Sequence, residues 1–254
     1  MDRWQRFAHW YDLDQGVFGD DIPMYLGLAG RTGSPILELG CGTGRLVLAL
    51  AQAGHRVTGV EREPAMLALA EAKVRAAGRA VARRVTLVAG DFQSLDLPTR
   101  FGLAVLAVNT WMDLPGPAEQ AQVLARAGRH LEPGGLLVLD LFHPHPDALA
   151  PAAGALVLEK VLSDPETDTQ ALKFVVRQVD YAQQVLTAHF IYDEMDAAGR
   201  LTRTAAAFSL RYLHRPEAEQ MVQAAGLAVE GVYGSYELDP YTDDAERMIL
   251  VARR

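Results

Sequence analysis

The sequence predicts an α/β protein: a seven-stranded, mostly parallel sheet with helices on both faces, plus an inserted antiparallel β lid. Apolar runs typical of buried parallel strands alternate with amphipathic helical stretches between residues 36 and 142. A glycine-rich turn follows the first of these strands and leads directly into a helix. From about residue 144 the pattern changes to the apolar–polar alternation that is typical of half-buried antiparallel strands.

Composition limits the class of protein. The chain has 254 residues, half of them hydrophobic, which suits one α/β domain with an insertion. It contains no apolar run of about 18 residues and no signal-peptide pattern, so no membrane association is expected. The single cysteine excludes an internal disulfide, and we expect a cytoplasmic protein. The net charge of -8 disfavours nucleic acid as a partner, because its phosphate groups would be repelled.

The first 34 residues are predicted to form a helical cap in front of the first strand. Aromatic and apolar residues at helical spacing over residues 4–11 indicate an amphipathic helix, and residues 22–28 indicate a second one. Gly16 and Gly19 mark the turn between them. We therefore treat residues 1–34 as a separate cap.

The first strand, residues 36–39, ends in a turn in which glycines occupy positions 40, 42 and 44. Glycine permits a tight turn and lets the backbone approach a ligand, since no Cβ intervenes. A dinucleotide-binding fingerprint, G-x-G-x-x-G, would require a glycine at position 45, which is Arg45. The spacing therefore disfavours a nucleotide-dependent dehydrogenase, which is the least favoured alternative.

The stretch from Glu38 to Gly44, Glu-Leu-Gly-Cys-Gly-Thr-Gly, resembles motif I of the class I S-adenosylmethionine-dependent methyltransferases. The segment from Asn109 to Phe142 is also similar to small-molecule methyltransferases of bacteria. The resemblance implies a Rossmann-like domain, made of residues 35–143 and 215–254, that transfers a methyl group from S-adenosylmethionine to a small-molecule acceptor. A protein that binds the cofactor without catalysis is the alternative. The implied cofactor contacts in this motif are Glu38, Gly40, Cys41, Gly42 and Gly44.

Two further acids fit the resemblance. Glu61 ends the second predicted strand about twenty residues after the glycine turn, where a carboxylate can accept hydrogen bonds from both ribose hydroxyls. Dehydrogenases and methyltransferases both use an acid at this position, so Glu61 alone does not distinguish the two classes. The resemblance implies that Asp91 accepts from the adenine amino group while the backbone N–H of Phe92 donates to the ring. It also implies contacts from Arg62, Asn109 and Tyr11, although packing against the domain remains open for Tyr11.

These candidate residues follow the strands in order. The glycine turn, Glu61, Asp91, Asn109 and His143 each come after the carboxyl end of a different predicted strand. In an open parallel sheet those ends lie along one edge, and ligands bind in the crevice there. We therefore expect one binding crevice that collects all of them.

Methyl transfer is an in-line displacement at carbon, for which the protein supplies alignment and the exclusion of water. A base is needed only when the acceptor loses a proton, and the candidates are His143, Asp113 and Tyr212. His143 is favoured because imidazole is neutral near pH 7, with an ordering role in its loop as the alternative. His143 and His145 lack a third ligand at a recognisable spacing, so no metal site is predicted.

Residues 144–214 are predicted to form the antiparallel lid and to shape the acceptor pocket. The same alternation would suit a homodimer interface through the lid. The sequence leaves open which acceptor is used and whether nitrogen, oxygen or carbon is methylated. Specificity resides in the cap and the lid, where the resemblance is weakest.

Overall fold

The computed structural model describes residues 3–149, 154–167, 169–196 and 199–254. Within these residues the chain forms two sheets, one of seven strands with helices on both faces and one of four antiparallel strands. This arrangement confirms the predicted fold class. No helix in the described part of the chain is long and apolar enough to cross a membrane.

The first half of the chain follows the predicted order of elements, with two short helices added, α5 and a 3₁₀ helix. Two N-terminal helices precede alternating strands and helices: α1 (Arg3–Gln15), α2 (Ile22–Thr32), β1 (Ile36–Leu39), α3 (Arg45–Gln52), β2 (Val57–Glu61), α4 (Pro64–Ala76), α5 (Arg79–Ala82), β3 (Val85–Ala89), β4 (Phe101–Leu106), a 3₁₀ helix (Thr110–Asp113), α6 (Pro117–His130) and β5 (Leu131–Phe142).

The second half builds the lid and then returns to the first sheet. Its elements are α7 (Pro146–Leu149), β6 (Val157–Asp164), β7 (Thr169–Asp180), β8 (Val185–Met195), β9 (Leu201–Arg211), α8 (Arg215–Ala224), β10 (Ala228–Tyr233) and β11 (Arg247–Arg253). Strands β6 to β9 pair in chain order as an antiparallel sheet, as their alternation predicts.

The strand order of the larger sheet creates a crevice. The order is β10-β11-β5-β4-β1-β2-β3, and strands β1 to β5 run parallel. Strand β11 runs antiparallel to both β5 and β10. The order reverses between β1 and β4, so the connections that follow these two strands lead to opposite sides and leave a gap. The glycine turn after β1 lies at this switch point.

Helices pack against both faces of the larger sheet through apolar side chains, and they hold in place the strand ends that border this gap. All six residues of β4 are buried, as expected of a central strand. One face packs against α2 and α3 through residues such as Tyr25 and Leu50. The other face packs against α6 and α8 through residues such as Leu124 and Val222.

Two strand limits differ from the prediction. The apolar run of residues 102–108 predicts a strand that continues to residue 108. Strand β4 ends at Leu106 instead, because Val108 and Asn109 take positive φ angles of 44° and 67°. Strand β5 begins at Leu131, and its pairing with β4 jumps from Leu131 to Leu136. The sequence Glu-Pro-Gly-Gly at residues 132–135 predicts a turn before this strand, and the structure shows an irregularity within the strand there instead.

Helix α1 lies between the lid and the larger sheet. Its Phe7 packs in a buried cluster with Tyr192 of β8. Its Asp14 pairs with Lys173 of β7 at 2.5 Å and with Lys160 of β6 at 2.7 Å. Asp14 and Lys173 are both buried, so their opposite charges compensate each other away from water. These contacts attach the N-terminal helix to the lid.

Candidate functional site

A cleft opens where the strand order reverses, and it holds about 520 Å³ of open space. One wall is the glycine turn after β1, and the opposite wall is the turn after β4, with Val108 and Thr110. The end of α1 covers the cleft with Tyr11 and Gln15. A cleft is therefore present at the predicted edge of the sheet, with the N-terminal cap over it. Among the described residues, its lining includes the glycine turn but not Glu61, Asp91, Asn109 or His143, so a single crevice that collects all of them stays a prediction.

The three glycines of the turn have different physical roles. All have positive φ angles, of 75°, 53° and 81° for Gly40, Gly42 and Gly44. A Cβ on Gly40 would lie 2.4 Å from Cγ2 of Thr110, and one on Gly44 would lie 2.9 Å from Cβ of Ala70. A Cβ on Gly42 would meet nothing within 4 Å. Gly40 and Gly44 thus permit close packing, whereas Gly42 leaves open space beside the turn.

Glu61 is held against the glycine turn by two backbone hydrogen bonds. The N–H of Gly42 donates to Oε2 at 2.9 Å, and the N–H of Glu63 donates to Oε1 at 2.8 Å. These bonds fix the direction of the carboxylate. Each oxygen has a second lone pair, so both can still accept from a pair of hydroxyls. This is the geometry that a ribose requires.

Glu38 is a buried acid beside the cleft. One oxygen accepts from the backbone of Val47, and Oε2 has no hydrogen-bond partner among the described residues. Burial raises the pKa of this carboxyl to about 8, although Arg45 lowers it. The guanidinium of Arg45 is already bound by Asp21, with contacts of 2.5 and 2.6 Å. Among the described residues, no cation therefore pairs with Oε2 of Glu38, and the ammonium group of a ligand could bind there.

Asp91 and Phe92 lie at the same edge of the sheet as Glu61. The parallel register pairs Glu61 with Ala89, and Glu61 O accepts from the N–H of Gly90 at 3.0 Å. Oδ1 of Asp91 accepts from the N–H of Gln93 at 2.8 Å, which orients the carboxylate after the turn. The fold thus brings both predicted acids to one side of the cleft.

Asp113 and Tyr11 both interact electrostatically with Glu61. Asp113 ends the 3₁₀ helix, and part of its side chain is exposed. Desolvation of its carboxyl by the surrounding protein raises the pKa to about 6, while Arg62 lowers this pKa and Glu61 raises it. Burial raises the pKa of Tyr11 to about 12, with Asp113 contributing further. At pH 7 Tyr11 is therefore a neutral hydroxyl group and Asp113 is largely ionised.

His143 and Tyr212 pack at the end of β5. The His143 ring lies 5.0 Å from that of Tyr241, and burial together with His145 lowers the pKa of His143, which is therefore neutral at pH 7. Tyr212 is buried 6.4 Å from the ring of Phe142, and burial raises its pKa. Among the described residues, neither His143 nor Tyr212 lines the cleft.

The side chain of Asn109 binds neighbouring strands of the sheet. Its Oδ1 accepts from the N–H of Phe142 at 2.6 Å and from Nη2 of Arg247 at 3.3 Å. The side chain therefore joins β4 to β5 and β11, and its contact with a cofactor stays a prediction.

Some residues at this site were not among the sequence predictions. A buried acid, Asp140, and its partner Arg247 at the end of β5 are the main examples. Asp12 of α1, which with Tyr11 resembles a Tyr-Asp pair that lies near the cofactor in the family, accepts from Thr43 in the glycine turn and from Lys73. A single acid inside the apolar run of β5 was a signal for the first pair. In the described part of the chain, no group of three or more side chains could hold a metal ion.

The fold and the site define an α/β protein that holds an adenosine-containing cofactor with an amino-acid tail. The features that fit such a cofactor are the open space at Gly42, the orientation of Glu61 and the unpaired oxygen of Glu38. S-adenosylmethionine has the ribose and the ammonium group that these residues can receive.

Comparisons with known proteins agree. Residues 36–135 match a family model described as a methyltransferase domain. Cypemycin N-terminal methyltransferase from a Streptomyces species is 32% identical over 227 residues, which cover 89% of this chain and 84% of the relative. The chain belongs to the class I S-adenosylmethionine-dependent methyltransferases. It is an enzyme of methyl transfer, and S-adenosylmethionine is its cofactor.

Solved structures are similar over nearly the whole chain. The CcbJ methyltransferase from Streptomyces caelestis has a TM-score of 0.75 and 28% identity, and the match covers 92% of this chain and 90% of that one. The S-adenosylmethionine-bound CalS10, an amino pentose methyltransferase from Micromonospora echinaspora, has a TM-score of 0.70 and 24% identity, with 96% of each chain covered. The second likeness shows a shared fold.

Proposed function

We propose that the chain transfers the methyl group of S-adenosylmethionine to an amino group of a small molecule. One observation carries this proposal: Asp113 ends the 3₁₀ helix that begins at Thr110 of the cleft wall, and the surrounding protein raises the pKa of its carboxyl to about 6. Such a group is ionised near pH 7, attracts an ammonium ion and can accept its proton. A neutral alcohol offers no positive charge for this carboxylate to hold.

Similarity to a named relative supports the same acceptor chemistry. The relative that is 32% identical is named for methylation at an N-terminus, which is an amino group. Half-buried side chains next to Tyr11 offer an apolar wall for the rest of the acceptor: Met66, Phe190 and Phe208. An amine on an apolar or aromatic body suits these surroundings.

We assign the cofactor contacts as follows. Glu61 accepts from the ribose hydroxyls, Glu38 receives the ammonium group, and Asp91 with the N–H of Phe92 reads the adenine edge. The backbone of the glycine turn lies along the cofactor, with Gly40, Cys41, Gly42 and Gly44. Tyr11 and Arg62 close the cleft from the opposite side.

The bound cofactor supplies a methyl group on a positively charged sulfur. The chain's own residues orient the acceptor: Asp113 holds the ammonium and takes one of its protons, and the neutral hydroxyl of Tyr11 hydrogen-bonds the nitrogen. The lone pair freed in this way would be available to accept the methyl group that the bound cofactor supplies. His143 is neutral at pH 7 and serves as the second candidate base.

The domain limits follow from the same assignment. Residues 1–34 form the cap, residues 35–143 and 215–254 form the cofactor-binding domain, and residues 144–214 form the lid over the acceptor.

We also propose that two copies pair through the outer face of the lid. Ala171, Lys173 and Val175 of β7 are buried on the side of α1, so alternation turns Leu172 and Phe174 to the opposite side. Exposed apolar residues continue this face: Val161, Met195 and Leu201. Four strands of this length present roughly 700 Å², which approaches the 800 Å² or so that each partner of a stable interface buries.

Substitution of Asp113 tests the acceptor assignment. We expect Asp113→Asn to lower kcat/KM for amines by about 100-fold, because the amide neither attracts nor deprotonates an ammonium. Release of S-adenosylhomocysteine from S-adenosylmethionine would be measured with alkylamines, short peptides and matched alcohols. Wild-type kcat/KM should fall as the pH drops through about 6, where Asp113 becomes protonated.

The control is Asp96→Asn, which removes an exposed acid from the loop after β3. Both variants should bind S-adenosylhomocysteine as the wild type does. Turnover of alcohols in preference to amines, or full activity of Asp113→Asn, would contradict the proposal.

A further inference from the structure

The turn after β4 has an unusual backbone conformation. Val108 has a φ of 44° and Asn109 has a φ of 67°. Residues with a side chain rarely take positive φ, and for a β-branched residue such as Val108 this conformation is strained. Strained backbone persists only where the surrounding contacts determine it. Val108 also lines the cofactor cleft, so the strain is located at the site.

A buried ion pair supplies the contacts that determine this turn. Oδ1 of Asp140 accepts from Nε of Arg247 at 2.9 Å and from Nη2 at 2.5 Å, and Asp140 has no exposed surface. Oδ2 of Asp140 accepts from the N–H of Val108 at 3.1 Å. The carbonyl of Asp140 accepts from the N–H of Asn109 at 2.8 Å. Both amides of the strained turn are therefore bound by one residue of β5.

Two further hydrogen bonds hold the same unit in place. Nη2 of Arg247 also donates to Oδ1 of Asn109 at 3.3 Å, so it contacts the turn as well as the acid. The hydroxyl of Tyr236 donates to Oδ2 of Asp140 at 3.2 Å. Antiparallel pairing of Arg247 with Phe142 and of Ile249 with Asp140 fixes where these side chains meet.

This turn also forms one wall of the cleft. Thr110 follows directly, and its Cγ2 would clash with a Cβ on Gly40. Its hydroxyl donates to the carbonyl of Ala107 at 2.6 Å. A relaxation of Val108 to negative φ would move Thr110 relative to the glycine turn, and with it one wall of the cofactor site.

We infer that Asp140 and Arg247 are positioning residues for the cofactor: their buried ion pair forces Val108 and Asn109 into the left-handed region and so holds the cleft wall against Gly40. Neither residue lines the cleft, and Arg247 lies on the antiparallel strand β11, outside the stretch that matches the family model. The inference depends on cofactor binding alone and is independent of which acceptor is methylated.

A double-mutant cycle with Val108→Gly tests this inference. Glycine takes a positive φ without strain, so a turn with glycine at this position no longer needs the ion pair. We expect Arg247→Gln to weaken binding of S-adenosylhomocysteine at least about tenfold in the wild-type background, since a small misplacement at a binding site is costly. In the Val108→Gly background the same substitution should weaken binding much less. Calorimetry measures both differences.

The matched control is Arg253→Gln, which removes an arginine from the other end of β11, where it pairs with Glu230 on the surface. It should leave binding unchanged in both backgrounds. Equal losses for Arg247→Gln in the two backgrounds would overturn the inference, because they would show general damage rather than an effect through Val108. Unchanged binding in Arg247→Gln would overturn it as well.

If Arg247→Gln does not fold, Tyr236→Phe replaces it in the cycle. This change removes only the hydroxyl that donates to Asp140 and leaves the ion pair intact. A smaller loss of binding is then expected, again reduced in the Val108→Gly background, and equal losses in both backgrounds count against the inference.

Discussion

Glu38 carries a carboxyl group that is buried beside the cleft, with Oε2 unpaired among the described residues. Burial raises its pKa to about 8, so most of this carboxyl is protonated at pH 7 in the free protein. An ammonium group placed against it would favour the ionised form and lower the pKa. Binding of the cofactor's tail should then release a proton from the protein.

We therefore expect the affinity for S-adenosylhomocysteine to rise between pH 6 and pH 8 and to level off above the pKa of free Glu38. The sign follows because the free protein holds the proton below about pH 8 and the complex does not. Calorimetry in two buffers with different ionisation heats should detect the release of about one proton at pH 7. The Glu38→Gln variant should show no such release.

Glu71→Gln is the control for this measurement, because Glu71 is an exposed acid that pairs with Arg75 on the surface of α4. It should keep the pH dependence of the wild type. An affinity that does not vary between pH 6 and pH 8 would show that Glu38 does not meet the ammonium group.

Part of the site could be predicted residue by residue, because its signals are local in the chain. Three glycines in five positions and Glu61 at the end of the next strand are visible as spacing. The contacts of Val108 with Asp140, and of Asp140 with Arg247, join the turn after β4 to strands β5 and β11. No local pattern reports such a contact, and Val108 itself is typical of an ordinary strand.

Helix α1 illustrates the same limit for a whole element. Aromatic residues at helical spacing predict it, and the structure forms it. The acid that anchors it, Asp14, is indistinguishable in sequence from a solvated surface residue. Its partner Lys173 is on β7 and is 3% exposed, which only the packed lid explains.

Loss of the Asp14 charge should loosen the helix. We expect Asp14→Asn to lower the free energy of unfolding by about 3 kcal/mol, since Lys173 is left with Glu159 as its remaining acid. Binding of S-adenosylhomocysteine should weaken too, because α1 carries Tyr11 over the cleft. Urea denaturation at pH 7 gives the first quantity and calorimetry gives the second.

Asp20→Asn, in the exposed connection between α1 and α2, serves as the reference substitution. It should change neither quantity. A stable Asp14→Asn variant with wild-type affinity would mean that α1 does not depend on this ion pair.

Strand β4 shows why an element's end is harder to predict than its existence. Its apolar run continues to Val108, so the pattern extends the strand to that residue. The chain leaves the strand earlier, because Asp140 binds the amides of Val108 and Asn109. The tertiary contact overrides the local preference for a strand.

At the scale of the whole molecule, the order of strands and helices could be predicted from alternating patterns. Each buried strand is short and apolar, and each helix between them is amphipathic. The alternation in the lid predicted three or four strands, and the structure has four. Which face meets α1 could not be predicted, because both faces carry apolar residues. The choice is made by the cluster around Phe7 and Tyr192.

That second apolar face leads to the prediction on assembly. We expect the wild-type chain to be a dimer by light scattering, and Phe174→Glu to be a monomer, because a charge on the outer face of β7 would be buried in the pairing of two lids. Gln52→Glu, on the exposed surface of α3, adds the same charge elsewhere and should remain dimeric. A monomeric wild type, or a dimeric Phe174→Glu variant, would contradict pairing through the lid.

Helix α1 is tied at one position to the lid through Asp14 and at another to the glycine turn through Asp12. A change that shifts the lid therefore also shifts α1, which covers the cofactor cleft. For protein engineers, this means that variants selected for a new acceptor will differ in how long they retain the spent cofactor. Screens that score only product formed at saturating methyl donor would overlook this trade-off.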